Sequence, residues 1–287
     1  MNNIHIKAYA KINLTLDITG RRENGYHDVE MVMQKINLYD DVFIEKNNSG
    51  KITLSSGRDD LPNDENNIAF KAAEVLLRKF NIKDGIYINI IKRIPVAAGL
   101  AGGSSDCAAV LKGLKKLFGI FIKDDELIKI GADLGKDVPF CIFENATMFS
   151  YGLGDELSVI NSLPQYNIVL AKPNINVSTA WAYKMFDISE TKIHPDTKGI
   201  IDAIKISNRT EIESRILNVL EYVTAKKYPI IKEYEDFLIE NGARAAAMSG
   251  SGPSVFGMFI NKSDADMAAE KLKKNFGVKE VFSIITL

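Results

Sequence analysis

The stretch PVAAGLAGGSSD, residues Pro95–Asp106, decides the fold because it follows a strand-like run and leads directly into a helix-like one. Small residues allow the backbone to approach a ligand without interference from Cβ atoms. The helix that follows would present unpaired N–H groups and the positive end of its dipole to an anion. The stretch therefore predicts a phosphate-binding loop, and tight packing of a strand against a helix is the alternative.

The spacing within this loop separates it from two better-known phosphate loops. It has no Gly-Lys-Ser/Thr ending, which excludes the Walker A loop, and Gly99-x-x-Gly102-Gly103 differs from the dinucleotide fingerprint G-x-G-x-x-G. Strand-like alternation over Gly85–Ile91 precedes the loop, and a helical stripe of apolar residues follows it, with Ser104 or Ser105 as the expected N-cap. This strand–loop–helix context favours phosphate binding.

The composition bounds the class of protein. A length of 287 residues predicts about two domains, and 46% hydrophobic and 25% charged residues are near the average for soluble globular proteins. A net charge of −1 gives no reason to expect nucleic acid as a partner. Neither a signal-peptide pattern nor a membrane-length apolar run is present, so we expect a cytosolic protein without a membrane partner. Two distant cysteines and three histidines predict neither a disulfide framework nor a transition-metal site.

The first strand and the turn after it carry candidate ligand-binding residues. Regular alternation from Ile4 to Ile18 predicts a strand that places Lys11 and Asn13 side by side, either in a site or on a solvated outer face. The Asn-Gly turn that follows predicts a hairpin tip. Tyr26 and His27 come just after it, where they would serve a planar hydrogen-bonding ligand or be ordinary surface residues.

The rest of the chain divides near Asn161–Gln165, which predicts domains of residues 1–162 and 163–287. In the first, a helix over Asp124–Leu134 and a strand over Phe140–Glu144 would place Asp137 in the loop between them, as a catalytic group or as a turn aspartate. In the second, the order β, helices, β, β, α, β predicts a split βαβ sandwich, with one long helix over Glu211–Ala225 among those helices.

Three separated blocks resemble the motifs of one superfamily. Lys11-Ile-Asn13-Leu, the loop Pro95–Ser105 and Met248-Ser-Gly-Ser-Gly-Pro253 are similar, in that order, to the motifs of the galactokinase, homoserine, mevalonate and phosphomevalonate (GHMP) kinases. The resemblance implies an α+β fold of two domains. An N-terminal mixed βα domain would bind ATP, and a C-terminal split βαβ (ferredoxin-like) sandwich would lie on the substrate side.

Within the superfamily, the blocks at residues 8–14 and 21–27 resemble the branch that phosphorylates a cytidine diphosphate-linked methylerythritol in the non-mevalonate isoprenoid pathway. This implies transfer from ATP to the 2-hydroxyl of the methylerythritol unit, with Mg²⁺ carried by ATP and no dedicated protein ligand for the metal. The alternatives are a GHMP kinase for another small alcohol, such as mevalonate or homoserine, and a non-catalytic metabolite-sensing module on the same fold.

The resemblance also implies residue roles. Asp137 would accept or polarise the proton of the substrate hydroxyl, and Lys11 would stabilise negative charge there and keep Asp137 ionised. The ATP phosphates would be bound by Pro95, Val96, Ala97, Ala98, Gly99, Leu100, Ala101, Gly102, Gly103, Ser104 and Ser105. Substrate contacts would come from Asn13, Tyr26, His27, Thr179 and Tyr183, with the two tyrosines stacking on the base.

The loop departs from its relatives in carrying more alanine. Ala97, Ala98 and Ala101 stand where relatives often have glycine. Any of these positions that requires a positive φ would be strained, because only glycine adopts that backbone region without cost.

Overall fold

The computed structural model describes residues 2–189 and 193–287, which form two compact units. Unit 1 contains Met1–Ala10, Leu38–Val96 and Ala101–Glu144, and unit 2 contains Lys11–Asn37, Ala97–Leu100 and Asn145–Leu287. The chain therefore passes between the units within its first two strands and within the loop at residues 95–105. Since both units are built from several segments, the boundary expected between residues 162 and 163 stays a prediction.

Unit 1 consists of a β-sheet and helices, and these helices pack against one another. Its elements, two of which continue into unit 2, are β1 (Asn3–Arg21), β2 (His27–Asn47), β3 (Ile52–Ser55), α1 (Ile68–Lys79), β4 (Gly85–Ile91), α2 (Gly102–Leu117), α3 (Asp124–Leu134) and α4 (Val138–Ile142). β4 lies between β2, to which it is antiparallel, and β3, to which it is parallel. Asn67 caps α1 by accepting from the Ala69 N–H, and the Ala/Leu face of that helix packs on α2.

The strand predicted over Phe140–Glu144 is wrong, because its first three residues belong to the helix α4. Pro139 lies in the first helical turn, where its missing N–H costs nothing. The apolar run Val138–Ile142 is buried against α2 and α3. A short run that is apolar throughout shows no periodicity that would separate a buried strand from a buried helix.

Unit 2 contains the remaining elements, together with residues 11–21 of β1 and residues 27–37 of β2. These elements are β5 (Thr147–Tyr151), β6 (Glu156–Val159), β7 (Asn167–Lys172), α5 (Thr179–Asp187), α6 (Thr197–Lys205), α7 (Arg209–Glu213), β8 (Leu217–Asn218), α8 (Val219–Lys227), α9 (Ile230–Glu240), β9 (Ala245–Met248), β10 (Val255–Phe259), α10 (Lys262–Phe276) and β11 (Glu280–Ile285). Residues 31–34 of β2 pair with β5, and Thr15 and Leu16 of β1 pair with β8.

The C-terminal sheet confirms the split βαβ sandwich. Its order is β11-β7-β10-β9 with every neighbouring pair antiparallel, and the crossovers carry helices. The single helix predicted over Glu211–Ala225 is wrong, because α7 ends at Glu213 and α8 starts only at Val219. Asn218 separates them: it pairs with β1 and caps α8 by accepting from the Leu220 N–H.

Candidate active site

The loop at residues 95–105, here called the glycine loop, has left-handed backbone at three positions. Gly99 has φ 74°, and the two alanines Ala97 and Ala101 have φ 51° and 56°. Two of the three alanines of the loop are therefore strained, at a cost of roughly 1–2 kcal/mol each. A loop that keeps this conformation with alanine must be held by its surroundings.

The centre of the glycine loop is held by the two other motifs. The Lys11 N–H donates to the Leu100 carbonyl over 3.1 Å, and the Ser249 hydroxyl donates to the Gly99 carbonyl over 3.0 Å. The Asn13 N–H in turn donates to Ser249 Oγ over 3.3 Å. A Cβ atom on Gly99 would overlap the Ser249 carbonyl oxygen, so this position requires glycine for space as well as for its positive φ. Three blocks far apart in sequence thus meet in unit 2.

Lys11 and Asn13 form a buried polar pair. Their exposed fractions are 4% and 0%, so the solvated-face alternative is wrong. Lys11 Nζ donates to Asn13 Oδ1 over 2.6 Å, and Asn13 Nδ2 contacts the Met31 sulfur at 3.2 Å. This hydrogen bond holds Lys11 Nζ in one position, as electrostatic stabilisation of an anionic group requires.

The end of the glycine loop opens α2 without a side-chain cap. The helix begins at Gly102 after Ala101, and no side chain accepts from its first turn, so the predicted N-cap role of Ser104 or Ser105 is wrong. The Ser105 hydroxyl donates instead to the Tyr9 carbonyl over 2.7 Å. The first N–H groups of α2 therefore keep their capacity to donate to an anion.

A buried cluster of two carboxylates and one ammonium, here called the lysine cluster, fixes both flanks of the loop in unit 1. Lys92 Nζ lies 2.5 Å from Asp40 and 2.6 Å from Asp106, and Asp40 also accepts from the backbone of Arg93 and Ile94. Burial, assisted by the charge of Asp40, raises the pKa of Asp106 to about 8 against the pull of Lys92. The two carboxylates outweigh the burial of Lys92 and raise its pKa, which keeps it charged.

The third motif forms a turn over Ser249–Gly252, here called the serine turn, with Gly250 and Gly252 at positive φ. Asn218 Nδ2 donates to the Met248 and Gly250 carbonyls over 2.8 and 2.7 Å. The Met248 N–H donates to Glu221 Oε2 over 2.9 Å. The beginning of α8 therefore positions the turn.

Glu221 shares a buried environment with Glu235 of α9, and these two residues are here called the glutamate pair. Burial raises the pKa of Glu221, and burial together with the charge of Glu221 raises the pKa of Glu235 to about 9. Glu235 Oε1 is buried without a hydrogen-bond partner among the described residues. A proton on Glu235, donated to Glu221, removes the charge repulsion of the pair.

Asp137 lies in unit 1 at the N-cap position of α4, half-buried. Its side chain does not cap that helix, although the position suits an aspartate cap.

The hairpin tip and α5 bring together most of the residues expected to read a base. Tyr26 is 59% exposed, whereas the His27 side chain is 9% exposed and its ring centroid lies 5.0 Å from that of Tyr183. His27 Nε2 lies 2.6 Å from Asp187 Oδ1. Thr179 Oγ1 is 2.9 Å from Ser251 Oγ of the serine turn.

Within residues 2–189 and 193–287, no three His, Cys, Asp or Glu side chains are grouped so that they could hold a metal ion. Over the same residues, no helix has the length and apolar character needed to cross a membrane.

Comparison with known proteins agrees with the three motifs. Residues 67–145 match the model of the GHMP kinase N-terminal domain, and residues 195–278 match that of the GHMP kinase C-terminal domain. The chain belongs to the GHMP kinase family. A relative from Acetivibrio thermocellus, named 4-diphosphocytidyl-2-C-methyl-D-erythritol kinase, is 47% identical over 96% of both chains.

Solved structures support the same family. A crystal structure of 4-(cytidine 5'-diphospho)-2C-methyl-D-erythritol kinase matches this GHMP kinase with TM-score 0.85 and 29% identity over 99% of each chain. A homoserine kinase from Cytophaga hutchinsonii matches with TM-score 0.78 but only 17% identity, over 100% of this chain and 95% of the other, and so shares the fold.

Several supporting residues of this GHMP kinase were not found from the sequence. Asp187 lies four residues after Tyr183 on α5, a spacing that places both on one helix face and was available as a signal. Asn218 was hidden inside the predicted long helix. The lysine cluster had no local signal, because 52 residues separate Lys92 from Asp40.

Proposed function

We propose that this protein transfers the γ-phosphoryl group of ATP to the 2-hydroxyl of 4-diphosphocytidyl-2-C-methyl-D-erythritol. One observation carries the proposal: the three kinase motifs meet at Gly99 and Leu100 through hydrogen bonds from Lys11 and Ser249. A relative 47% identical over 96% of both chains has the corresponding name. We include a cytosolic location in the proposal, to be checked by cell fractionation.

The ATP phosphates would be bound by the glycine loop, from Pro95 to Ser105. Its small side chains leave the backbone accessible, and the uncapped first turn of α2 directs N–H groups towards an anion. Mg²⁺ would arrive with ATP, held mainly by phosphate and water oxygens. The Ser105 oxygen fits as a further ligand, because its hydroxyl donates to Tyr9 and keeps its lone pairs. Bound Mg²⁺ would neutralise phosphate charge.

We assign the acid–base role to Asp137 and the electrostatic role to Lys11. The Asp137 carboxylate, at the N-cap position of α4, would accept the proton of the substrate hydroxyl or orient it for attack. The buried Lys11 ammonium would stabilise negative charge at the acceptor oxygen, with Asn13 holding its position. Phosphoryl transfer depends chiefly on such positioning and charge stabilisation.

The cytidine end would be read by the hairpin tip and α5. Tyr26 and Tyr183 would stack on the base, and His27 would hydrogen-bond its edge. Thr179 and Asn13 would contact the remainder of the substrate. The exposed Tyr26 ring presents a flat apolar face to a planar group.

An assay of ADP release with three acceptors tests the proposal. We expect turnover with the cytidylyl substrate and background rates with mevalonate and homoserine. Faster turnover with either of the other alcohols would identify a different GHMP kinase. Nucleotide binding without ADP release from any acceptor would indicate a sensing module.

Two variants test the assigned roles. Asp137→Asn should lower kcat by about 10²–10⁴ while the Kd for ATP stays unchanged, with Asp133→Asn on the exposed face of α3 as control. Lys11→Ala should lower kcat by about 10²–10³, with Lys7→Ala, exposed on the same strand, as control. A near-normal kcat in Asp137→Asn would exclude it as the base.

A further inference from the structure

The pair formed by His27 and Asp187 goes beyond the roles assigned above. The distance from His27 Nε2 to Asp187 Oδ1 is 2.6 Å, and the other carboxylate oxygen of Asp187 lies 3.5 Å from Arg21 Nη1. The Asp187 side chain is 20% exposed and the His27 side chain 9% exposed. Arg21 thus places a guanidinium beside the carboxylate.

This geometry fixes the tautomer of the imidazole. An ionised carboxylate only accepts hydrogen bonds, so Nε2 must carry the proton. In a neutral imidazole the other nitrogen, Nδ1, is then an acceptor without a proton. No group of residues 2–189 or 193–287 hydrogen-bonds Nδ1, which leaves it available to a ligand.

An acceptor at this position distinguishes two pyrimidines of the same shape. Cytosine carries an exocyclic amino group, which donates, where uracil carries a carbonyl oxygen, which only accepts. We propose that Asp187 is a positioning residue that holds His27 in the Nε2–H tautomer and thereby selects a cytidine over a uridine substrate. The inference rests on the proposed function, since it requires His27 to read the base.

Substitution of Asp187 by Asn tests the inference without removing the side chain. The amide of Asn can donate to Nε2 and place the proton on Nδ1, which then suits the uracil carbonyl. For the parent protein we expect kcat/KM to be at least ~100-fold higher for the cytidylyl substrate than for its uridylyl analogue. In Asp187→Asn the KM for the cytidylyl substrate should rise about tenfold, and kcat/KM for the uridylyl analogue should increase. The ratio of the two kcat/KM values should therefore fall below ~10. The KM for ATP should not change.

The matched control is Asp28→Asn. Asp28 follows His27 directly and forms its hydrogen bonds with Arg22, so the variant removes a carboxylate from the same hairpin without touching the imidazole pair. It should keep the parent ratio of kcat/KM for the cytidylyl substrate to kcat/KM for the uridylyl analogue. A loss of discrimination in this control would mean that hairpin charge, and not the tautomer, sets base selectivity.

A spectroscopic readout separates positioning from general structural support. The ¹⁵N chemical shifts of the His27 ring should report the Nε2–H form in the parent protein and an increased Nδ1–H population in Asp187→Asn. An Nδ1–H or doubly protonated ring in the parent, or an unchanged substrate ratio in the variant, overturns the inference. A parent protein that is inactive on both substrates refutes the proposed function instead, and the ring shifts still report the tautomer.

Discussion

The glycine loop and the serine turn are both built from small residues with left-handed backbone, but different chemistry supports them. The lysine cluster beside the glycine loop compensates its buried carboxylates with an ammonium 2.5 and 2.6 Å away. The glutamate pair behind the serine turn is contacted by Lys232, which lies 3.3 Å from Glu235 and is itself 61% exposed. Its main compensation is a proton, which is why the pKa of Glu235 is raised to about 9.

This difference predicts opposite responses to mutation. Removal of the Lys92 ammonium takes the cation from the buried Asp40 and Asp106, which is among the most destabilising changes in a protein interior, although the raised pKa of Asp106 lets this one carboxyl group bind a proton. A proton shared by two carboxyl groups can be replaced by a neutral amide that makes the same hydrogen bond. The lysine cluster therefore depends chiefly on its ammonium, whereas the glutamate pair depends chiefly on a proton.

The largest effect should come from the lysine cluster. Lys92→Met keeps the apolar stem and removes the charge shared by Asp40 and Asp106, and it should lower the free energy of unfolding by about 3–5 kcal/mol. Urea denaturation measures this. Lys115→Met is the control, because Lys115 pairs with the exposed Asp124, and its cost should stay below about 1 kcal/mol. Equal costs for the two variants would contradict the comparison.

The point where the turns touch should give the next largest effect. Gly99→Ala places a Cβ atom against the Ser249 carbonyl in a residue with φ 74°, and it should cost about 2–4 kcal/mol and displace both turns. The melting temperature and the rate of ADP release should both fall. Gly119→Ala has a similar φ of 62° but no atom within 4 Å of the new Cβ, so it should show the backbone cost alone.

The glutamate pair predicts a pH dependence of stability. The folded protein holds a proton on Glu235 up to a pKa of about 9, whereas the unfolded chain releases it near the ordinary value of 4.5. This contribution to stability is therefore present below pH 4.5 and is lost as the pH rises towards 9. Glu235→Gln cannot titrate and should be more stable than the parent by about 1–3 kcal/mol at pH 9, with little difference at pH 4.5.

Melting temperatures measured across this pH range check the prediction. Glu233→Gln changes an exposed residue of the same helix and should follow the parent curve. A Glu235→Gln variant that is less stable than the parent at pH 9 would show that the pair is not compensated by a proton.

The smallest effect concerns the choice of alanine in the glycine loop. Ala101→Gly relieves a residue at φ 56° but adds freedom to the unfolded chain, so the net gain in stability should be under about 1 kcal/mol. Ala98→Gly, at a position without positive φ, should instead lose a few tenths to about 1 kcal/mol. Calorimetry of the two variants should therefore show shifts of opposite sign.

Local patterns predicted the elements that obey one clear period. The alternation at the start of the chain is part of β1, and α3 spans the predicted residues Asp124–Leu134. The pattern also placed Lys11 beside Asn13, but it could not show that both faces of this strand would be covered. Burial depends on which distant elements pack there, and a single strand does not contain that information.

The errors occur where a local signal was ambiguous or absent. The all-apolar run in α4 has no period, and the helical pattern around Asn218 concealed a two-residue strand and a new N-cap. Ser104 and Ser105 are good capping residues by type, but the helix starts earlier, after Ala101. Lys92 and Glu221 act through partners far away in sequence, so residue type and spacing could not reveal their roles.

The hydrogen bond from Ser249 to the Gly99 carbonyl joins residues 150 positions apart. At synthesis rates of 5–20 residues per second, the ribosome needs about 10–30 s to add the chain that lies between them. During that interval Gly99 lacks its partner, and the strained alanines on either side have no reason to hold their left-handed backbone. The glycine loop of a nascent chain therefore matures late, after β9 and β10 have paired, and the order of assembly delays its final conformation until the chain is nearly complete.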